Sequence, residues 1–219
     1  GRSSLPSSPQ EYTVLAASLT RQRSWGRSLA MFESLVHRRA PLDTISLNTA
    51  LSACASGVQW GQALRLLFGE TARLITRDTI TFNTTINACA KAGQWEWGVW
   101  LLDGMRIARV SPDIVSFNTA VTSCERGKQW TRALQVFEAI GTAKLRLNAV
   151  SFNATIASLS RGGRWQSACE LLDEMKASYV APTAVSLNAS LSACAEASQW
   201  EWACELLRRA PESGLSPNV

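Results

Sequence analysis

Tryptophan recurs along this chain of 219 residues at a constant interval of 35 residues. The residues that share the interval are Trp25, Trp60, Trp95, Trp130, Trp165 and Trp200. Asparagine follows the same period at Asn48, Asn83, Asn118, Asn153 and Asn188. A fixed period between about 20 and 50 residues is typical of arrays whose repeats bury their apolar faces only against one another. The chain is therefore divided into six units without insertions: 9–43, 44–78, 79–113, 114–148, 149–183 and 184–218. Residues 1–8 precede them and are expected to be a disordered leader or the stub of a transit peptide.

The first half of each unit has the spacing of an amphipathic helix. In unit 79–113, Phe82, Ile86 and Cys89 lie at positions i, i+4 and i+7, which places them on one helical face. Thr81 is predicted to be the N-cap of this helix. The Ala-Gly pair at 92–93 is predicted to end it.

The second half of each unit predicts another short helix. In the same unit it should begin near Gln94 and end at about Ile107, and Ser-Pro-Asp at 111–113 should form the turn into the next unit. One such pair of helices cannot bury its own apolar face, so neighbouring pairs must stack. The pattern predicts an all-α protein of about twelve helices with no sheet.

Composition excludes several classes of protein. Charged residues make up 18% and hydrophobic residues 46%, which is too apolar and too weakly charged for a disordered chain. No apolar run approaches the roughly 18 residues that a membrane span requires. Because His37 is the only histidine, metal sites and catalytic sets that need several histidines are not expected. The sequence has no phosphate-binding glycine loop or paired carboxylate motif either, so we expect neither an enzyme nor a bound cofactor.

The six cysteines follow the repeat period. Cys54, Cys89, Cys124 and Cys194 share one position in the first helix, whereas Cys169 and Cys204 share another in the second. Equivalent positions in stacked repeats are spread along the array, which argues against a shared metal site. We interpret the cysteines as buried, small apolar residues in a reducing compartment.

The recurring asparagines point to a functional role. Asparagine is a poor helix former, and capping by the Ser or Thr two residues earlier leaves its place in the first turn unexplained. An amide carries both a donor and an acceptor and could read the edge of a base. The alternative is a hydrogen bond to the backbone of the neighbouring unit.

The complete pattern resembles the pentatricopeptide repeat. The segments DTISLNTALSACA, DTITFNTTINACAKAG, DIVSFNTAVTSCERG, NAVSFNATIASLSRGG and TAVSLNASLSACAEA, which begin at residues 43, 78, 113, 148 and 183, carry the resemblance over residues 9–218. It implies a right-handed α-solenoid superhelix of six stacked helix-turn-helix repeats. One departure is systematic, because tryptophan opens the second helix where the family usually has leucine. We interpret this substitution as an enlarged core.

The resemblance implies binding of single-stranded RNA at one base per repeat. In the family, the fifth and last residues of a repeat read the base. The corresponding pairs are Thr13 with Asp43, Asn48 with Asp78, Asn83 with Asp113, Asn118 with Asn148, Asn153 with Thr183, and Asn188 with Asn218. They imply the target 5′-GUUYYY-3′, where Y is a pyrimidine and the fifth pair is a weak reader. Gln10 and Glu11 depart from the pattern, so the first repeat could instead serve mainly as an end cap.

Two further columns complete the predicted RNA surface. By resemblance, the second residue of each repeat packs between successive bases, and these residues are Ile45, Ile80, Val115, Val150 and Val185. Ordinary packing between repeats is the alternative. Cations at the thirteenth position would contact phosphates, namely Arg21, Lys91, Arg126 and Arg161. The alternative is that they complement the dipole at the end of the first helix.

The resemblance also implies a biological setting. We expect a protein, monomeric and not inserted in a membrane, that occupies an organellar transcript in the chloroplast or mitochondrion and acts with protein partners of a ribonucleoprotein. The rival hypothesis is a protein-binding scaffold, such as a structural subunit of an organellar ribosome. Trp97, Trp100 and Trp202 lie outside the tryptophan column and would mark that surface, unless they pack between second helices.

Overall fold

The computed structural model describes residues 8–21, 24–69 and 75–209. This part of the chain contains twelve α-helices and no strand, which confirms the all-α prediction. In chain order they are α1 (Pro9–Arg21), α2 (Trp25–His37), α3 (Thr44–Ser56), α4 (Trp60–Phe68), α5 (Thr79–Lys91), α6 (Trp95–Ile107), α7 (Ile114–Arg126), α8 (Trp130–Thr142), α9 (Ala149–Arg161), α10 (Trp165–Ala177), α11 (Ala184–Glu196) and α12 (Trp200–Arg209). The helices form the pairs of a helical-repeat solenoid. None of those described has the length and hydrophobicity of a bilayer-spanning segment.

The first helix of every repeat begins at the first residue of the predicted unit. In α3, α5, α7, α9 and α11 the N-cap is the last residue of the preceding unit, so the prediction that Thr81 caps α5 was wrong. Asp78 is the cap and accepts hydrogen bonds from the Thr81 backbone N–H at 2.8 Å and from the Thr81 hydroxyl at 2.7 Å. Thr81 returns a bond by accepting from the Asp78 backbone N–H at 3.2 Å. This reciprocal capping box recurs in α3, α7, α9 and α11.

A tight turn separates the two helices of each repeat. In the third repeat, Gly93 takes a φ of 71° and the Gln94 N–H donates to the Cys89 carbonyl at 3.0 Å. This reversal ends α5, as predicted, and lets α6 begin at Trp95. The same turn in the second repeat forces Val58 to a φ of 57°, which is unfavourable for a β-branched side chain.

The chain divides into two compact units, and the first ends at Pro112. Within it, α3 packs against α1 and α5, so first helices stack on first helices. Each second helix also packs against the first helix of its own repeat, as α2 does against α1 and α4 against α3. The core contains the fully buried side chains Phe32, Leu47, Leu51, Ile86 and Leu101.

The second unit begins at Asp113 and repeats the arrangement. Its first helices α7, α9 and α11 stack in succession, while α8 and α10 each pack on the first helix before and after them. The rings of Phe137 and Phe152 pack edge to face, with 5.2 Å between their centroids. Ile156 and Met175 are fully buried in the same unit. Burial of these apolar surfaces is the main stabilising term of such an array.

The tryptophan column lies at the edge of the core. Trp25, Trp60, Trp95, Trp130 and Trp165 are half-buried, and Trp200 is 69% exposed. A Cβ at Gly57 would collide with the ring of Trp25, and one at Gly162 with the ring of Trp130, so these two rings pack on the end of the first helix of the next repeat. Trp25 also packs against the buried core, as the interpretation of an enlarged core requires, whereas that interpretation was wrong for the exposed Trp200.

Candidate nucleic-acid interface

The second residue of the first helices α3, α5, α7, α9 and α11 is an exposed aliphatic side chain. The exposed fractions are 66% for Ile45, 61% for Ile80, 52% for Val115, 56% for Val150 and 60% for Val185. More than half of each side chain is thus in solvent, so packing between repeats accounts for the smaller part of its surface. A β-branched side chain is stiff at χ1, and an exposed column of such side chains offers fixed apolar wedges to a ligand.

Asn48 and Asp78 are brought together although they are 30 residues apart in the sequence. The Asn48 Nδ2 amide donates to Asp78 Oδ1 at 3.3 Å. That oxygen also accepts the two capping bonds from Thr81. The Asn48 Oδ1 atom is buried and no described group donates to it. The alternative of a hydrogen bond from Asn48 to the backbone of the neighbouring unit is not observed, because its amide bonds the last side chain of the same repeat.

The electrostatics of Asp78 follow from its two roles. Partial burial acts to raise the pKa of the Asp78 carboxyl, but hydrogen bonds from Thr81 and Asn48 outweigh it and hold the pKa below its usual value. The carboxylate therefore carries its negative charge at neutral pH. No bond among the described residues occupies its second oxygen, Oδ2, which leaves an acceptor beside the amide of Asn48.

The fourth repeat has the same geometry with a neutral partner. Asn118 Nδ2 donates to Asn148 Oδ1 at 3.3 Å, and Asn148 caps α9 by accepting from the Ser151 backbone N–H at 3.0 Å. Asn118 is 7% exposed, and its Oδ1 atom is buried without a donor among the described residues. The cap orients the Asn148 amide, because its oxygen must face the helix terminus.

The fifth repeat reverses the direction of the bond. The Thr183 hydroxyl donates to Asn153 Oδ1 at 3.2 Å, and the same hydroxyl oxygen accepts from the Ser186 backbone N–H at 3.3 Å. The only proton of the hydroxyl is therefore used within the repeat. This pair keeps the contact between the fifth and last residues but offers no carboxylate.

A groove of about 690 Å³ opens over the second repeat. Its lining includes the exposed wedges Ile45 and Ile80 and the hydrogen-bonded pair Asn48 and Asp78. Small side chains fill the remaining wall: Ala17, Thr44, Thr49, Ser52 and Thr84. Two predicted wedges and one predicted reading pair therefore border one cavity.

The other predicted reading residues differ in their positions and surroundings. Thr13 donates to the Gln10 carbonyl at 2.8 Å, and no described hydrogen bond joins it to Asp43, which caps α3. Asn83 is half-buried on α5 and Asp113 caps α7. Asn188 is exposed on α11. Its predicted partner Asn218 lies outside the described residues.

The predicted phosphate contacts differ in their surroundings. Lys91 and Arg126 are exposed at the ends of α5 and α7. Arg161 is instead 3.2 Å from Glu125, an ion pair that partly neutralises it. The side chain of Arg21 lies outside the part of the chain whose side chains are described.

Sequence reasoning missed one feature of these surfaces. The last residue of a repeat both caps the next helix and contacts the fifth residue, and the signal was the Asp, Asn or Thr placed three residues before each Ser or Thr. The packing between second helices that the sequence left as the alternative for Trp97 and Trp100 is observed: ring centroids of Trp97 lie 6.4 Å from Trp60 and 5.4 Å from Trp100, and Phe68 is 5.5 Å from Trp100. These rings pack between second helices, yet Trp97 remains 38% exposed and Trp100 51% exposed.

The stacked helix pairs carry exposed aliphatic side chains and hydrogen-bonded polar pairs on their first helices. These features define an α-solenoid, a class of protein that offers extended binding surfaces. Residues 80–110 and 150–180 match the PPR repeat model, and residues 100–161 match the pentatricopeptide repeat domain model. Residues 80–180 therefore contain pentatricopeptide repeats. Among curated proteins, no sequence matches this chain significantly.

Solved structures show the same fold. The pentatricopeptide repeat protein PPR10 from maize is 23% identical with a TM-score of 0.79, and the match covers 96% of this chain and 30% of that one. PPR10 in complex with an 18-nt psaJ RNA element is 16% identical with a TM-score of 0.53, and the match covers 98% of this chain and 36% of that one. The PPR domain of Arabidopsis thaliana protein-only RNase P 1, in complex with tRNA, is 17% identical with a TM-score of 0.65. The match covers 79% of this chain and 91% of that one. This chain thus spans about 30% of the length of the first of these proteins.

Proposed function

We propose that this chain is a sequence-specific, single-stranded RNA-binding protein that reads one base per repeat. The observation that carries the proposal is the groove of about 690 Å³ bordered by Ile45, Ile80, Asn48 and Asp78. A base between the two aliphatic wedges would expose its edge to the amide and the carboxylate. Similar folds occur in proteins whose structures contain an RNA element or a tRNA, which supports the same ligand class.

The target follows from the pairs in order. Asn48 with Asp78 offers an acceptor that carries charge, which suits the N3–H donor of uracil. The full prediction remains 5′-GUUYYY-3′. We propose that the protein acts by occupancy of an organellar transcript, and that it binds as a monomer alongside protein partners. Binding would mask the RNA from nucleases or melt its local structure, and catalysis forms no part of this role.

Fluorescence anisotropy with labelled RNA tests the proposal. The probe is a single strand of about 14 nucleotides centred on GUUUUU, and the comparison strand has an A-rich core. We expect tighter binding to the pyrimidine core, and loss of that preference in the double variant Asn48→Ala plus Asn118→Ala. Gln135→Ala is the matched control, because it removes an exposed amide from the second helix α8. Equal, weak binding of both strands by the wild type would exclude base reading.

A protein-binding scaffold is the second candidate, and the exposed aromatic cluster of Phe68, Trp97 and Trp100 favours it. Large aromatic side chains that remain in solvent are enriched at protein interfaces. If RNA binding is absent, the full chain should still capture a protein partner, and Trp100→Ala should abolish that capture. RNA binding that survives Trp100→Ala, with no captured protein, would favour the first proposal alone.

A further inference from the structure

Two cysteines from adjacent repeats are in contact. The Sγ atoms of Cys169, in α10, and Cys194, in α11, are 3.7 Å apart. Both are free thiols. They belong to the same compact unit, in which α10 and α11 pack directly against each other. Equivalent cysteines are spread along the array, but the two columns of cysteines meet at this junction between consecutive repeats.

This junction is unusual within the chain. Cys169 is the twenty-first residue of the fifth repeat and Cys194 the eleventh of the sixth. The residues at the equivalent positions of the earlier junctions are Leu29 with Cys54, Leu64 with Cys89, Val99 with Cys124, and Leu134 with Leu159. Only the last junction combines two thiols, so the repeat pattern alone does not account for the pair.

The two thiols differ in accessibility. Cys194 is completely buried, whereas Cys169 is half-buried. Burial raises the pKa of the Cys169 thiol, and the neighbouring Cys194 and the carboxylates of Asp173 and Glu170 raise it further. The Cys169 thiol is therefore protonated at neutral pH. Cys169 is the sulfur that a small oxidant can reach first.

We propose that Cys169 and Cys194 are a modification site, at which a small disulfide oxidant converts the two thiols into a disulfide that clamps α10 to α11. An S–S bond of about 2.05 Å requires the sulfurs to approach by about 1.7 Å from their present contact. Rotation about the two Cα–Cβ bonds can supply part of this movement because Cys169 borders solvent. The bond would add a covalent link between α10 and α11, which are now joined by packing and by a hydrogen bond from the Ser190 hydroxyl to the Ala168 carbonyl at 3.5 Å, and such loop closure stabilises the folded state.

The exchange balances with oxidised glutathione as the oxidant. Cys169 loses its proton to water and attacks one sulfur of the glutathione disulfide, so one glutathione leaves as a thiol and a mixed disulfide remains on Cys169. Cys194 then loses its proton and attacks the Cys169 sulfur, and the second glutathione leaves as a thiol. Two protein S–H bonds are lost, one S–S bond forms, and the oxidant is reduced to two thiols.

Thiol counting and peptide mapping on the full chain test the proposal. After incubation with oxidised glutathione, we expect the denatured protein to titrate as four thiols instead of the six in the sequence, with one peptide pair that joins Cys169 to Cys194. Cys169→Ser and Cys194→Ala should each prevent this link, whereas Cys204→Ser, which removes an exposed thiol, should retain it. The oxidised wild type should also unfold at a Tm several degrees above the reduced form, by about 5 °C.

A transplanted pair keeps the test independent of the stability of those variants. Leu64 and Cys89 occupy the equivalent positions of an earlier junction. Leu64→Cys should therefore form a second internal disulfide under the same conditions. A mixed disulfide that persists on Cys169, a link that includes Cys204 or joins two chains, or an oxidised form with unchanged Tm would overturn the proposal.

Discussion

The second and fifth repeats share a backbone and differ in the chemistry placed on it. In the second repeat the Asn48 amide donates to the Asp78 carboxylate, whereas in the fifth the Thr183 hydroxyl donates to Asn153. Their turns differ as well, since Val58 takes a left-handed conformation that Gly163 adopts without a side chain. The second repeat thus has a charged acceptor that the fifth lacks, but its turn has a less favourable backbone conformation.

This difference shows that the last position of a repeat serves two purposes. The last residue of a repeat caps the next helix, so it must be a short polar side chain that accepts from a backbone N–H. Asp, Asn and Thr all satisfy that requirement, as Asp78, Asn148 and Thr183 illustrate. They leave different groups for a ligand. The chemistry of the groove can therefore vary among repeats with little change in helix stability.

Removal of the cap in the second repeat should have the largest effect. Asp78→Ala deletes the acceptor of both Thr81 bonds and of the Asn48 amide. We expect a loss of about 1–2 kcal/mol in the free energy of unfolding, measured by urea denaturation. Asp78→Asn is the matched control and should retain most of that stability, because an amide oxygen can still cap. Equal losses in the two variants would show that the charge, and not the cap, stabilises α5.

Thr183→Asp should give the fifth repeat the chemistry of the second. A carboxylate at this position keeps the cap and adds an acceptor that carries charge beside Asn153. Hydrogen bonds to charged groups are stronger than those to neutral ones, so we expect the preference for uracil over cytosine at the fifth nucleotide to rise by about 1 kcal/mol, roughly fivefold.

Anisotropy titrations with two strands that differ only at that nucleotide measure the effect. The same substitution should leave the preference at the second nucleotide unchanged. A shift at both nucleotides, or at neither, would contradict independent reading by the two repeats.

Val58→Gly should give the turn of the second repeat the backbone freedom of the fifth. A left-handed conformation is costly for valine and easy for glycine, so we expect a gain of about 0.5–1 kcal/mol in stability. The reverse change, Gly163→Val, should lower stability by a similar amount. Thermal unfolding followed by circular dichroism measures both. A loss of stability in Val58→Gly would mean that the half-exposed valine side chain contributes more by packing than its backbone costs.

The smallest effect should be a pH dependence that the two repeats do not share. Because the folded pKa of Asp78 lies below its unfolded value, its stabilisation is present above the unfolded pKa and is lost as pH falls through the folded pKa. The stability difference between wild type and Asp78→Asn should therefore shrink as pH is lowered below about 4. Urea denaturation at a series of pH values measures it. Thr183→Asn, which replaces one neutral cap with another, should show no such change in that range.

Local sequence signals predicted most of the fold. The first helices begin at Pro9, Thr44, Thr79, Ile114, Ala149 and Ala184, the first residues of the predicted repeats. Helix periodicity and turn residues act over a few residues, so they can be interpreted without knowledge of the partner surfaces. The N-cap at Thr81 was wrong because two polar residues three positions apart compete for that role, and only the backbone geometry distinguishes them.

The sequence by itself determined the repeat frame, the helix pairs and the columns of residues on each helix, since these depend on period and local propensity. Tertiary structure decided which atoms meet: the direction of the bond between Asn153 and Thr183, the partial exposure of the tryptophans, and the contact between Cys169 and Cys194. These contacts depend on how one helix pair is rotated and shifted against the next. That register is set by packing of side chains from different repeats, which no single repeat encodes.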